Sequence, residues 1–180
     1  MNCLASGSVP PRLGNAHPNI VPYQVFEAAH GQHLILACGN DKQFAAIGRV
    51  MEQEWHTEPR FATNPQRVAH RDELVPLMQA VFGHKTRDEW IALFEAAQVP
   101  CGPINNIAEA LAMPQVQQRG MVVDFADSPV KVLGNPIKLS ATPVQYHSAP
   151  AALGAHSAEI LRGLGYSEEQ IVQWRADGVV

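Results

Sequence analysis

The chain has 180 residues and a mass of 19.6 kDa, 46% of them hydrophobic and 17% charged; that is enough chain to bury a core and too apolar for a disordered polypeptide. Thirteen Lys and Arg against seventeen Asp and Glu leave a formal charge of -4, which gives no support for nucleic-acid binding, where basic patches replace phosphate counterions. Three widely separated cysteines, Cys3, Cys38 and Cys101, argue against a disulfide framework and for a reducing, cytoplasmic compartment.

The first segment, residues 1–22, carries four of the fourteen prolines and little hydrophobic periodicity, so it reads as a linker. It has neither a basic n-region nor an apolar h-region, and no apolar run in the chain reaches the roughly 18 residues that span a bilayer, so no membrane contact is expected. Next, "PYQVFEAAHGQHLILAC" alternates apolar residues, Tyr23 and Val25 before a His30-Gly31 turn and Leu34, Leu36 and Cys38 after it. That pattern predicts a β-hairpin.

"GNDKQFAAIGRVMEQ" follows, with Phe44, Ile47, Val50 and Met51 at helical spacing and Asn40 or Asp41 placed to cap. A second helix is expected over "HRDELVPLMQAVF", with Pro76 in its first turns or bending it. A third starts at the capping box Thr86-x-x-Glu89 and buries Trp90, Leu93 and Phe94; a fourth, "NIAEALAMPQV", opens with Asn106 and Glu109 in the same relation. Then "MVVDF" and "KVLGNPIKLS" read as a second strand pair, followed by a Pro- and Ala-rich connector. Two terminal helices close the chain, one around "SAEILRGLG" and one from Ser167-x-x-Gln170. The sum is an α+β chain with appendages.

Few residues point to chemistry by themselves. His30-x-x-His33 is the closest histidine pair, but residues three apart on a strand face opposite ways and no acidic or thiol partner flanks them, so no metal site is expected. Cys101, in "VPCGPINN", reads as an exposed-loop thiol or a small apolar filler; no His or cation stands at motif distance to activate it. Asp41, Asp88, Glu89, Glu109, Glu168 and Glu169 all fall at helix starts, where the macrodipole favours them. Gly14, Asn15, His17 and Asn19 could cradle a phosphate or thioester or simply connect elements; there is no G-x-G-x-x-G and no Walker lysine.

Taken in order, "RLGNAHPNIVPYQVFEAAHGQHLILACGND", "EPRFATNPQRVAHRDEL", "TRDEWIALFEAAQVPCGPINNIAEAL", "GNPIKLSATP" and "LGAHSAEILRGLGYSEEQIVQWRADGVV" resemble the C-terminal portion of the family III CoA-transferases, the CaiB/BaiF family. The resemblance implies a small α+β domain with a β-hairpin, an antiparallel sheet and flanking helices, plus a linker and a C-terminal helical limb of an incomplete Rossmann-like large domain. Its divisions are 1–22 as linker and active-site-facing loop, 23–145 as the small domain, and 146–180 as linker and returning helices.

The implied activity is acyl-CoA:carboxylate CoA transfer, in which an aspartate carboxylate attacks the thioester and CoA then passes to a second acid through covalent intermediates. That aspartate belongs to the large domain, so no catalytic residue is expected in this chain, and the isolated chain, a truncation or one part of a split enzyme, is expected to be inactive. What the chain supplies is the loop Asn15, His17, Pro18 and Asn19 over the acyl site. Some relatives have a mobile, glycine-rich loop there, whereas "NAHPNI" is bulkier; His30 likewise stands where family members often carry Asp before the turn glycine. The resemblance implies a coenzyme A thioester as substrate, no permanently bound cofactor, and a homodimer or association with an N-terminal half. An α-methylacyl-CoA racemase-like enzyme portion and a non-enzymatic remnant or interaction module remain alternatives. Without the large domain, Leu153, Ile160, Leu161, Leu164, Ile171 and Trp174 are expected to be partly exposed.

Overall fold

A computed structural model describes residues 2–7, 9 and 11–180; Met1, Ser8 and Pro10, all within the expected linker 1–22, lie outside the described residues. The fold is mixed α+β and divides into two compact units, Met1–Asn106 and Ile107–Val180. In the first, the segment expected to be only linker opens with a short helix, α1 (Asn2–Ser6).

The hairpin forms as expected: β1 (Tyr23–Glu27) pairs antiparallel with β2 (His33–Ala37) around a 3-10 turn, Ala29–Gly31, in which His30 adopts φ 62°. The apolar alternation of β1 does not mark its core face, however. The register opposes Phe26 to Leu34 and Gln24 to Leu36, so Tyr23 and Val25 point to the other side of the sheet, where Tyr23 stacks on His17. Cys101–Ile104, expected as a loop, is a third strand, β3, pairing antiparallel with β2 through Leu36 and Cys101. It sits at the sheet edge, where Pro103 costs little because an edge strand has one unpaired side.

Helices α2 (Asp41–Val50), α3 (Asn64–Ala69), α4 (Arg71–Phe82) and α5 (Arg87–Ala96) follow the hairpin. Asn40 caps α2 by accepting from the Gln43 N–H at 2.9 Å. Thr86 and Glu89 close their capping box at α5, and Pro76 lies in the second turn of α4, where it cannot donate to the Asp72 carbonyl. Their inner faces and Phe26, Leu34 and Leu36 make the core. Phe82 is its hub, with ring centroids 4.6 Å from Phe26, 5.4 Å from Trp90 and 5.9 Å from Phe94, while its carbonyl accepts the Trp90 indole N–H at 2.8 Å. Each such fully buried side chain contributes about 1.5–3 kcal/mol. Leu93, expected in the buried stripe of α5, is 40% exposed instead: it lies three residues from Trp90, at the margin of a stripe that Trp90 and Phe94 already fill. Gly48 permits a close approach in α2, since a Cβ there would stand 2.7 Å from the Gln53 carbonyl oxygen.

The second unit contains α6 (Ile107–Ala112), α7 (Pro114–Gln118), the antiparallel pair β4 (Val122–Phe125) and β5 (Ser128–Leu133), α8 (Ser157–Gly163) and α9 (Glu168–Ala176). Gly134 closes β5 onto Met121 through a 2.9 Å backbone bond; any Cβ on it would meet the Gly120 carbonyl at 2.7 Å. Ser167 and Gln170 form the expected capping box of α9, and the Tyr166 ring meets Trp174 edge-on at 4.8 Å. Leu153, Ile160 and Leu164 are exposed and Leu161 and Trp174 half-buried, as expected. Ile171, by contrast, is buried at 1% exposure. Among the described residues no helix is long and apolar enough to cross a membrane.

Candidate functional site

The four residues singled out in the sequence, Asn15, His17, Pro18 and Asn19, lie together in one loop ahead of β1, and the loop is built by their own polar groups. Gly14 turns the chain at φ +61°. The Asn15 side-chain carbonyl accepts the Val25 N–H at 3.0 Å, tying the loop to the open edge of β1. His17 donates its backbone N–H to the Tyr23 carbonyl at 2.9 Å and lays its ring on the Tyr23 ring, with centroids 5.4 Å apart and planes 11° from parallel. Its Nδ1 accepts the Asn19 N–H at 3.1 Å, which assigns the ring proton to Nε2.

Two helices hold this loop from beneath. Arg71, first residue of α4, donates from Nη2 to the carbonyls of His17 at 2.7 Å and Pro18 at 3.0 Å. Asn64, first residue of α3, donates to the Asn19 carbonyl at 2.8 Å and accepts the Val21 N–H at 3.1 Å. Three consecutive loop carbonyls are thereby taken. Arg67, one helical turn from Asn64, is wholly buried and forks to three acceptors: the Val21 carbonyl at 2.7 Å, the Phe61 carbonyl at 3.0 Å and the Asp41 carboxylate at 2.8 Å. Its guanidinium also lies over the Phe44 ring, 4.3 Å from the centroid.

Arg71, Asn64 and Arg67 escaped sequence reasoning. Their contacts with the loop span 43 to 54 residues of sequence, and no local period reports a pairing so distant.

Beside the loop lies an open cleft of about 360 Å³, bounded by Leu13 and Ala16 on one wall and Arg71, Asp72 and Val75 of α4 on the other, with Arg12 at its rim. One nitrogen of Arg71, Nη1, is enclosed and meets no hydrogen-bond acceptor.

The remaining reactive groups are arranged for structure. Cys38 is buried, and desolvation pushes its thiol up to about 11 despite the nearby Arg67. Cys101, half-buried in β3, is also raised by burial, with Glu95 adding to the effect. Both shifts oppose thiolate formation. His30 and His33 are exposed in the hairpin, and among the described residues no group of three or more His, Cys, Asp or Glu side chains converges to hold a metal. Of the carboxylates, Asp41 serves Arg67 and Glu89 serves the α5 cap, while Asp72 lies on the cleft wall across from Leu13 and Ala16.

Comparison with known proteins gives this arrangement its setting. A family model described as CoA-transferase family III matches residues 1–157. The chain is 39% identical over 175 residues to an acyl-CoA transferase of Fusarium pseudograminearum, covering 94% of this chain and 38% of the relative. It is 42% identical over 173 residues to a succinate–glutarate CoA-transferase of Agrobacterium fabrum, covering 91% and 42%. The crystal structure of a CAIB/BAIF family protein from Brucella suis superposes with a TM-score of 0.80 at 40% identity, covering 91% of this chain and 43% of that one. The chain thus spans about two fifths of the length of the curated relatives it matches.

Proposed function

The chain belongs to CoA-transferase family III, and from that premise we propose that it supplies the small domain and the active-site-facing loop of an acyl-CoA:carboxylate CoA-transferase. The observation that carries this reading is the alignment of nearly the whole chain with about two fifths of relatives named for CoA transfer. In the complete enzyme a carboxylate outside this chain attacks the acyl-CoA carbonyl and expels the CoA thiolate; the thiolate attacks the enzyme-derived carbonyl of the resulting anhydride, releasing the donor acid and leaving an enzyme–CoA thioester. The acceptor carboxylate attacks that thioester, and the expelled thiolate attacks the acceptor-derived carbonyl of the second anhydride, giving the new acyl-CoA and freeing the enzyme carboxylate. This chain holds no such nucleophile. Residues 23–145 form the small domain, and residues 146–180 return to pack on the large domain.

The chain's own contribution is positional. With the carbonyls of His17, Pro18 and Asn19 bound by Arg71 and Asn64, the loop offers outward the Pro18 ring and the Nε2 edge of His17, over the acyl site. A held loop of this kind excludes water at little entropic cost, because its order is built before substrate arrives. The acceptor is a small dicarboxylic acid, in keeping with the relative named for succinate and glutarate. The working assembly includes the large-domain portion, in one polypeptide or as a separate subunit, and pairs as a homodimer in a reducing cytoplasm.

The test is CoA transfer from succinyl-CoA to glutarate, followed as glutaryl-CoA by chromatography. The pure 180-residue chain is expected to show no turnover, and the chain co-expressed with an N-terminal portion of a family relative is expected to show it. Turnover by the chain alone, or none in the reconstituted enzyme, overturns the reading.

A further inference from the structure

We propose that a second cleft, between α2 and the residues that follow α5, binds a short aliphatic dicarboxylate, with Lys42 and Arg49 meeting its two ends. The cleft has a volume of about 410 Å³, large enough for a small organic acid. Lys42 and Arg49 both line it and both are exposed. Neither charged end forms an ion pair or a hydrogen bond among the described residues, so both are open to a ligand. No carboxylate stands among the described lining residues to offset them: Asp41, next to Lys42, is turned to Arg67, and Glu52 and Glu95 lie off the cleft.

The neutral groups carry the same bias. Gln43 Oε1 accepts the Gly39 N–H at 2.7 Å, and Asn40 Oδ1 accepts the Gln43 N–H at 2.9 Å. A backbone N–H can be met only by the oxygen of a side-chain amide, so both amides are held with their oxygens on the backbone and their NH2 groups left over as donors. A wall of cations and amide donors suits an anion. Spacing then selects among anions. Lys42 and Arg49 stand seven residues apart on α2, two helical turns, which puts them on one face with Cα atoms about 10 Å apart. Ala46 lies between them on that face, and Ala97 adds a second methyl to the lining. Two positive ends separated by a low apolar floor fit a molecule with a carboxylate at each end and a few methylenes between. A monocarboxylate leaves one cation unmet, and a phosphate concentrates its charge on one centre. The inference goes beyond the transferase reading and stands on these residues alone.

The experiment is a titration of the 15N-labelled 180-residue chain with glutarate, with butyrate and inorganic phosphate as separate probes, reading amide shifts. Glutarate is expected to bind saturably in the millimolar range, with shifts concentrated at residues 39–49 and at Ala97 and Gln98. Butyrate and phosphate should each bind about fivefold more weakly. Lys42→Gln and Arg49→Gln should each weaken glutarate about fivefold. Both side chains are exposed and engage no other residue among those described, so neither change should disturb the ligand-free spectrum beyond its neighbours. Lys138→Gln, which removes an exposed cation of the second unit, should leave the affinity unchanged. Absence of saturable shifts, shifts centred away from α2, butyrate or phosphate binding as tightly as glutarate, unchanged affinity in either α2 variant, or equal weakening by Lys138→Gln overturns the site. Because the titration uses this chain alone, failure of a reconstituted enzyme to transfer CoA would remove the transferase reading and leave this result standing.

Discussion

Arg67 joins three stretches that are remote in sequence, and its energetics differ at each end. Its side chain is 0% exposed, yet the carboxylate it meets, on Asp41, is 54% exposed. The ion pair is thus partly screened, and most of the stabilisation resides in the two backbone carbonyls and the Phe44 face. We expect Arg67→Met to cost about 3 kcal/mol in urea unfolding, since it orphans the Val21 and Phe61 carbonyls together, and Asp41→Asn to cost about 1 kcal/mol or less. Equal costs for the two would show that the ion pair, and not the carbonyls, dominates. Arg67 also illustrates why a buried cation is hard to read from sequence: its helix of six residues contains no periodic stripe to mark which side faces inward.

At the scale of elements, the capping boxes were legible because each is closed within four residues. Thr86 donates its hydroxyl and its N–H to the Glu89 carboxylate at 2.7 and 2.8 Å and accepts the Glu89 N–H at 3.3 Å. The side-chain bond from Thr86 is the main cause holding the Glu89 carboxyl below the usual carboxylate range, with the Thr86 backbone N–H second. A carboxyl lowered in the folded state contributes stability that is present above its unfolded pKa and is lost as pH falls through the folded value. Thr86→Ala should therefore destabilise by about 1 kcal/mol at neutral pH and flatten the acid limb of a pH–stability curve measured by thermal melting; an unchanged acid limb would refute the linkage. The strands were less legible than the caps. β3, "CGPI", has no alternation and carries both Gly and Pro, and only its place at the edge of β2 makes it a strand. In β1 the apolar positions sit on the side occupied by the loop, and the core side is carried by Phe26 opposite Leu34.

At the scale of the whole molecule, the two units differ in how they satisfy their apolar residues. The first encloses Phe26, Phe44, Phe61, Phe82, Trp90 and Phe94 almost completely. The second leaves Leu133, Leu153, Ile160, Leu164 and Val172 exposed, and of its large apolar residues only Ile171 is buried. A two-stranded sheet and short helices cannot cover such a surface unaided. Concentration-dependent association is expected in sedimentation equilibrium, reduced by Leu153→Glu with Leu164→Glu, together with faster amide exchange in α8 and α9 than in α4 and α5. A strict monomer whose terminal helices exchange as slowly as the core would contradict this.

The sequence by itself determined the α+β class, the hairpin, the capped helices and the family, because these rest on local periods, caps of three- or four-residue reach, and an ordered series of short motifs. Tertiary structure alone decided what holds the His17–Asn19 loop, which face of β1 is buried, and that Cys101 belongs to a strand. Those outcomes depend on hydrogen bonds and register between residues up to 54 positions apart. Such pairings are chosen by the packing of the entire unit, which no window along the chain contains.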